Sequence, residues 1–447
     1  MTREPVEAAS AASAREPLAP EVATALRDAH RSEWARVVAT LIRVTGDWDV
    51  AEEAASGAFE RAAQTWPRDG VPRIPGAWLT TAARNLALDR LRRRGVEADK
   101  VREWMAMEQF TGRADGPRDP ADVVADDEPE WDDRLRLVFT CAHPALPMEA
   151  RVALTLRTVG GLETGEIAGA FLVPQATMAQ RISRAKKKIR HAGIPYRVPT
   201  ADLLPERLGG VLAVLYLIAN EGYLASHGDA LQRLDLAEEA IRLTRLVVAL
   251  LPRDGESRAL LALMLLQHAR SAARVDAAGD LVPLPEQDRA MWDATEIAEG
   301  LALLDGPPDE GRRGDPAGQY RLQAEIQAVH ARARSAADTD WRAIAARYDD
   351  LAMLADSPFV ALNRAIARGM AFGPQRGLDD LALLEASGRL AGYHLLPAAQ
   401  ADLLRRLDRA DDAAARYREA IALARTAPER RFLERRLAEL DDPTVDG

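Results

Sequence analysis

Six lysine and arginine residues fall between Arg181 and His191 with no acid among them, in a chain of 447 residues whose formal net charge is −10. Three of the four lysines in the whole sequence are the consecutive Lys186, Lys187 and Lys188. Cations gathered on one short stretch neutralise backbone phosphates and release counterions, while side chains nearer the start of the same helix reach base edges. Thr177, Gln180, Arg181, Arg184, Lys186, Lys187 and Lys188 are therefore candidate nucleic-acid contacts. The competing reading is a solvated basic face on an ordinary core helix. Against it stands the preceding sequence, which predicts a short helix over Thr164–Phe171, a tight turn, and a longer helix opened by Pro174, whose fixed φ and missing N–H suit a first helical position. That order is the helix-turn-helix layout. On the second helix Met178, Ile182, Ala185 and Ile189 form an apolar stripe, and Thr177, Arg181, Arg184 and Lys188 a polar stripe about 100° round the axis. Leu172 stands in the turn at a position glycine often fills, which predicts a strained or differently built turn.

Other reactive side chains are sparse. Cys141 is the lone cysteine, so it forms no internal disulfide and no thiolate cage, which fits a reducing cytoplasm. His143 lies close by, but no further Cys, His or acid is placed to complete a metal or nucleophile site, and both read as structural. The chain has no Gly-rich phosphate loop, no His-Glu-x-x-His helix and no framed carboxylate pair. The expectation is a non-enzyme without cofactor or metal. Asn220, Glu221 and Tyr223 follow a strongly apolar helix and line either an internal interface of the chain or a ligand or partner site.

The elements that must position these residues are helical throughout. At 47% hydrophobic and 5% aromatic, the apolar share leans on Ala and Leu, which favours an all-α chain of two to four domains. Residues 1–20 read as a disordered tail. From 21 to 95 a small helical domain is expected, with Trp34, Val37, Val38 and Leu41 on one face, a stop and new cap at Thr45-Gly46-Asp47, a loop over Pro67–Gly76, and a basic exit at Arg90–Arg94. Asp115 to Asp133 holds nine acids against the single base Arg118 and is broken by prolines, so 96–130 reads as a flexible acidic linker. A compact unit follows over 131–195, and 200–447 reads as a helical repeat-like array. Near its end Ala401, Leu404, Ala413, Tyr417 and Ala420 fall at tetratricopeptide spacing. The longest apolar run, Val211 to Ala219, is about half of what a membrane span requires, so no membrane association is expected.

The stretch Gly161–Arg190 resembles region 4 of extracytoplasmic-function (ECF) sigma factors of the sigma-70 family, and Asp49–Arg94 resembles their region 2. The resemblance implies that Asp49, Glu52, Glu53 and Phe59 dock on core RNA polymerase. It implies that the helix Trp78–Arg93, through Trp78, Thr81, Asn85, Asp89, Arg92 and Arg93, opens and reads the −10 element, with the loop Trp66–Pro75 capturing a flipped base. The 174–190 helix would read the −35 element, and the acidic linker would thread the polymerase channel that later holds RNA. Asp133–Leu146, Ala192–Tyr196 and Leu215–Tyr223 further resemble a subgroup with a long helical C-terminal extension, which implies control through contacts with the sigma domains or a regulatory partner. Two rivals are a helix-turn-helix regulator with a helical sensor domain, which would bind duplex DNA without polymerase, and an enzyme on a helical scaffold.

Overall fold

The computed structural model describes residues 19–93, 132–171, 173–200, 202–223, 232–276, 280–306, 318–424 and 426–441. The expected acidic linker, the tail through residue 18 and Leu172 lie outside them. Within them the chain is all-α, apart from one isolated bridge between Val275 and Leu281. No described helix is long and apolar enough to cross a membrane.

The chain forms two compact units. The first begins with α1 (Pro20–Thr45), which opens on a proline and buries Trp34, Val37, Val38 and Leu41. Gly46 ends it in the left-handed region at φ 66°, where a side chain would be strained, and returns its N–H to the Ile42 carbonyl. Asp47 then caps α2 (Trp48–Asp69), its carboxylate accepting from the Asp49 and Val50 N–H groups at 2.9 and 3.0 Å. Ala51, Ala54, Ala55, Ala58 and Ala62 are fully buried on α2, and these small side chains let α1 and α3 (Pro75–Arg93) approach closely. The loop before α3 is shorter than expected. Helix α2 continues through Pro67 for its last residues and closes with the Gly70 N–H on the Trp66 carbonyl.

The same unit takes in the start of α4 (Asp133–Cys141), the segment Leu156–Leu162 and the short strap Pro195–Arg197. Tyr196 pins the strap, donating to the carbonyls of Ala39 at 3.1 Å and Asp133 at 3.3 Å, with its ring edge-on to Trp48.

The second unit holds α5 (Met148–Leu154), α6 (Thr164–Ala170), α7 (Gln175–His191) and everything from Val198 onward. The sequence predicts a domain over 131–195; its helices are instead shared between the two units. Helix α8 (Leu204–Tyr223) packs on α5, with Gly210 near the Ala142 carbonyl, so the helix-turn-helix and the extension fall in one unit. Next come α9 (Leu234–Leu250), α10 (Gly255–His268), α11 (Ala294–Leu304) and α12 (Gln319–Arg332). Helix α10 is buried on every side from Ala259 to Leu266 and is the hub of this group. Then α13 (Trp341–Leu354), α14 (Pro358–Phe372), α15 (Pro374–Ala386), α16 (Leu395–Arg405), α17 (Ala410–Leu423) and α18 (Ala427–Asp441) stack on their sequence neighbours. Ala401, Leu404, Ala413, Tyr417 and Ala420 are all buried in this stack. Arg431 and Arg436 of α18 pair with Asp280 and Glu286, tying the end of the array to the loop beyond α10.

Candidate nucleic-acid interface

Pro174 turns out to be the N-cap of α7 rather than its first residue. Helix α6 is capped at its start by the Glu163 N–H donating to the Glu166 carboxylate at 2.6 Å, and the turn after it is closed by the Val173 N–H on the Ala168 carbonyl at 3.0 Å. Met178, Ile182, Ala185 and Ile189 are buried, as their periodicity predicts. This fixes the rotation of α7 about its axis.

The opposite face is open. Thr177, Gln180, Arg184, Lys187 and Lys188 are exposed and Arg181 is half-buried. Thr177, Gln180, Arg181, Arg184 and Lys188 line an open groove of about 410 Å³ against Glu149 of α5. Among the described residues Arg181, Arg184, Lys187 and Lys188 have no ion-pair partner, so their charge is available to a polyanion. Lys186 departs from expectation. It is 7% exposed and lies on the packed side of α7 beside Ala185, one residue out of phase with the polar stripe. A run of three consecutive lysines spans about 200° of a helix, so one of them had to turn inward.

The second group of predicted contacts lies on α3. Thr81, Asn85, Asp89, Arg92 and Arg93 are exposed, and Trp78 is half-buried, edge-on to the buried Trp66 at 5.7 Å. Arg93 is held by Asp89 at 2.6 Å one turn earlier, and Arg90 by Glu53 at 3.2 Å, so among the described residues Arg92 is the cation of this trio without a carboxylate partner. The loop between α2 and α3 exposes the apolar side chains of Val71 and Ile74. The loop lies where its Pro and Gly residues predict, but Val71 and Ile74 are not among the candidate contacts, because an apolar side chain between Pro, Gly and Arg gives no periodic signal.

The predicted polymerase-docking residues on α2 divide. Glu53 is exposed and Asp49 and Phe59 are half-buried, Phe59 lying against His30 at 5.0 Å and Trp34 at 6.0 Å. Glu52 is only 4% exposed. Its carboxylate accepts from the Thr158 hydroxyl at 3.0 Å and Arg157 Nε at 3.3 Å, while Trp34 Nε1 donates to the Thr158 carbonyl at 3.1 Å. Gly161, at φ +78°, lies so close to His30 and Trp34 that a Cβ there would meet them at 2.7 and 2.8 Å. The segment Leu156–Leu162 thus covers the Glu52 side of α2. Glu52 was expected on an open face, and the covering residues lie more than 100 positions away, beyond the reach of local periodicity.

Cys141 is fully buried, and His143 Nδ1 accepts from the Ala145 N–H at 3.1 Å. No group of three metal-ligating side chains occurs among the described residues.

Against families of known proteins, residues 30–96 match sigma-70 region 2, residues 136–189 match sigma-70 region 4, and residues 207–306 match a family of unknown function, DUF6596. An uncharacterized protein of Rhizobium meliloti (strain 1021) is 42% identical over 406 residues, covering 91% of this chain and 93% of the relative. No solved structure matches.

Proposed function

Because the chain belongs to the sigma-70 family as an ECF-like member with a C-terminal extension, we propose that it docks on core RNA polymerase and directs it to promoters in the cytoplasm. A role in promoter recognition comes with regions 2 and 4. Helix α7 then takes the −35 element, read in the major groove by Thr177, Gln180, Arg181 and Arg184, with Lys187 and Lys188 on phosphates. The open cationic groove of α7, in a chain of net charge −10, is the observation that carries it. Lys186 drops out of the contact set because it is buried.

Helix α3 and the loop before it are assigned the −10 element. Asn85 and Arg92 present polar groups to bases and backbone, and Trp78 with the exposed Ile74 offers surfaces on which an unpaired base can stack or a step can be wedged. Core polymerase is assigned to Asp49, Glu53 and Phe59, joined by Glu52 once Leu156–Leu162 has left it. A buried carboxylate engaged by Thr158 and Arg157 is closed to a partner, so docking through Glu52 requires that segment to open.

The test is a double substitution, Arg181→Ala with Arg184→Ala. Removing each side chain from its base should cost about 1–3 kcal/mol and relax sequence preference at the −35 position. Promoter binding unchanged in affinity and sequence preference would remove α7 as the reader.

A further inference from the structure

Three arginines in the extension surround two aromatic rings without a carboxylate among them. Arg270 and Arg274, one turn apart after α10, are each 6% exposed. Arg270 donates to the Tyr223 hydroxyl at 2.9 Å and to Gln327 Oε1 at 3.1 Å. Arg274 donates to the Tyr223 carbonyl and lies over the Tyr223 ring at 3.5 Å. Arg289, half-buried, covers the Trp292 ring at 4.3 Å, with Arg270 at 5.8 Å from the same ring, and donates to the carbonyls of His330 and Ala333. Among the described residues none of the three guanidinium groups has an ion-pair partner.

Buried charge in this arrangement is out of balance. Tyrosine, glutamine and carbonyl oxygens satisfy N–H groups but do not neutralise them, and Arg270, between the other two, repels both Arg274 and Arg289. Burial and then the neighbouring Arg270 depress Arg274, and burial with Arg270 and Arg289 pushes His330 down to about 4. Three further polar atoms in the surrounding shell are also unpartnered: His330 Nδ1, Trp292 Nε1 and Gln287 Oε1, on side chains 8%, 7% and 9% exposed. Donors in excess, no ion-paired carboxylate and idle polar atoms are features of an oxyanion-binding site, and the one acid that acts on the cluster, Asp338, reaches Arg289 only through space.

We propose that this cluster binds a small doubly charged oxyanion, phosphate or a phosphomonoester, through Arg270, Arg274 and Arg289. Guanidinium forks match phosphate oxygens in pairs, and a dianion offsets three cations better than a single carboxylate. On the Gln232 side of Tyr223 the cavity is about 10 Å³, room for one water, so the ligand approaches from the Arg289 side, where the guanidinium meets solvent. Tyr223 ends α8, the helix that packs on α5 beside the helix-turn-helix, so a ligand here would brace the element on which region 4 rests.

The experiment is calorimetric titration of the full chain with inorganic phosphate and, separately, glycerol 3-phosphate, against chloride at equal ionic strength. Saturable binding of either dianion is expected, and the tighter of the two tells a free ion from an organic phosphate. Arg270→Gln and Arg274→Gln should each weaken it at least tenfold while the circular dichroism spectrum holds. Should both variants unfold, NMR titration of the wild-type histidines decides: the dianion should raise the apparent pKa of His330 by a unit or more. Absence of saturable binding, binding retained in both folded variants, or a His330 titration indifferent to phosphate would each overturn the proposal.

Discussion

The contact between Glu52 and Thr158 can be weakened without altering volume. Thr158→Val removes a hydroxyl that donates at 3.0 Å to a carboxylate on a residue 4% exposed, and leaves the longer Arg157 Nε contact at 3.3 Å in place. A hydrogen bond to a charged, buried acceptor is worth about 1.5–3 kcal/mol. The backbone carbonyl of Thr158 still receives Trp34 Nε1, so the segment should keep its path and lose only that increment. The loss falls on the closed state alone, because an opened Glu52 is solvated in both proteins. Opening of Leu156–Leu162 should therefore become roughly 10–150-fold more frequent, at about 1.4 kcal/mol per decade. Native-state hydrogen exchange of the amides in 156–162 reads the opening, and fluorescence anisotropy with core polymerase reads the docking. Faster exchange with tighter core binding is the expected pair of results. Faster exchange with unchanged or weaker core binding would refute the argument that this segment competes with polymerase, and unchanged exchange would refute the contact itself.

Lys187→Gln with Lys188→Gln should weaken DNA binding about equally on all sequences and reduce the slope of log affinity against log salt by about 0.9 for each phosphate no longer neutralised, measured by filter binding across a salt series. His330, held at about 4 against an ordinary 6.5 by burial and by Arg270 and Arg289, binds its proton less readily folded than unfolded. Its contribution is therefore fully present above the unfolded value and is lost as pH falls through that window, to a total of about 3 kcal/mol. Urea denaturation from about pH 7 down to about pH 4 should show a shallower loss in His330→Gln than in the wild type; parallel curves would contradict this.

What could be read from the sequence was whatever a helix repeats every three or four residues. The apolar stripe Met178, Ile182, Ala185, Ile189 and the Asp47 cap are local patterns, and both are in place. The region 2 and region 4 resemblance was legible for the same reason, being carried by contiguous motifs. Long-range packing was not. Burial of Glu52 depends on residues 105 and 106 positions away, and Tyr196 finds Ala39 across 157. The helix-turn-helix looked separable at residue 195, yet α8 packs on α5, so cutting the chain near residue 200 would remove that contact. The arginine cluster was invisible because Tyr223, Arg270, Arg289 and Gln327 come from four segments, and only Tyr223 stood out beforehand as a possible pocket residue.

Whether this chain is a working sigma factor is decided by transcription from purified components: the full-length chain, core RNA polymerase without any other sigma factor, and a template library of upstream sequences. Stable association with core is expected, with transcripts that start at discrete positions behind a shared pair of −35 and −10 elements, the shared −35 element being lost with Arg181→Ala and Arg184→Ala together. Failure to associate with core, or transcripts no different in number and start site from core alone, would contradict that role.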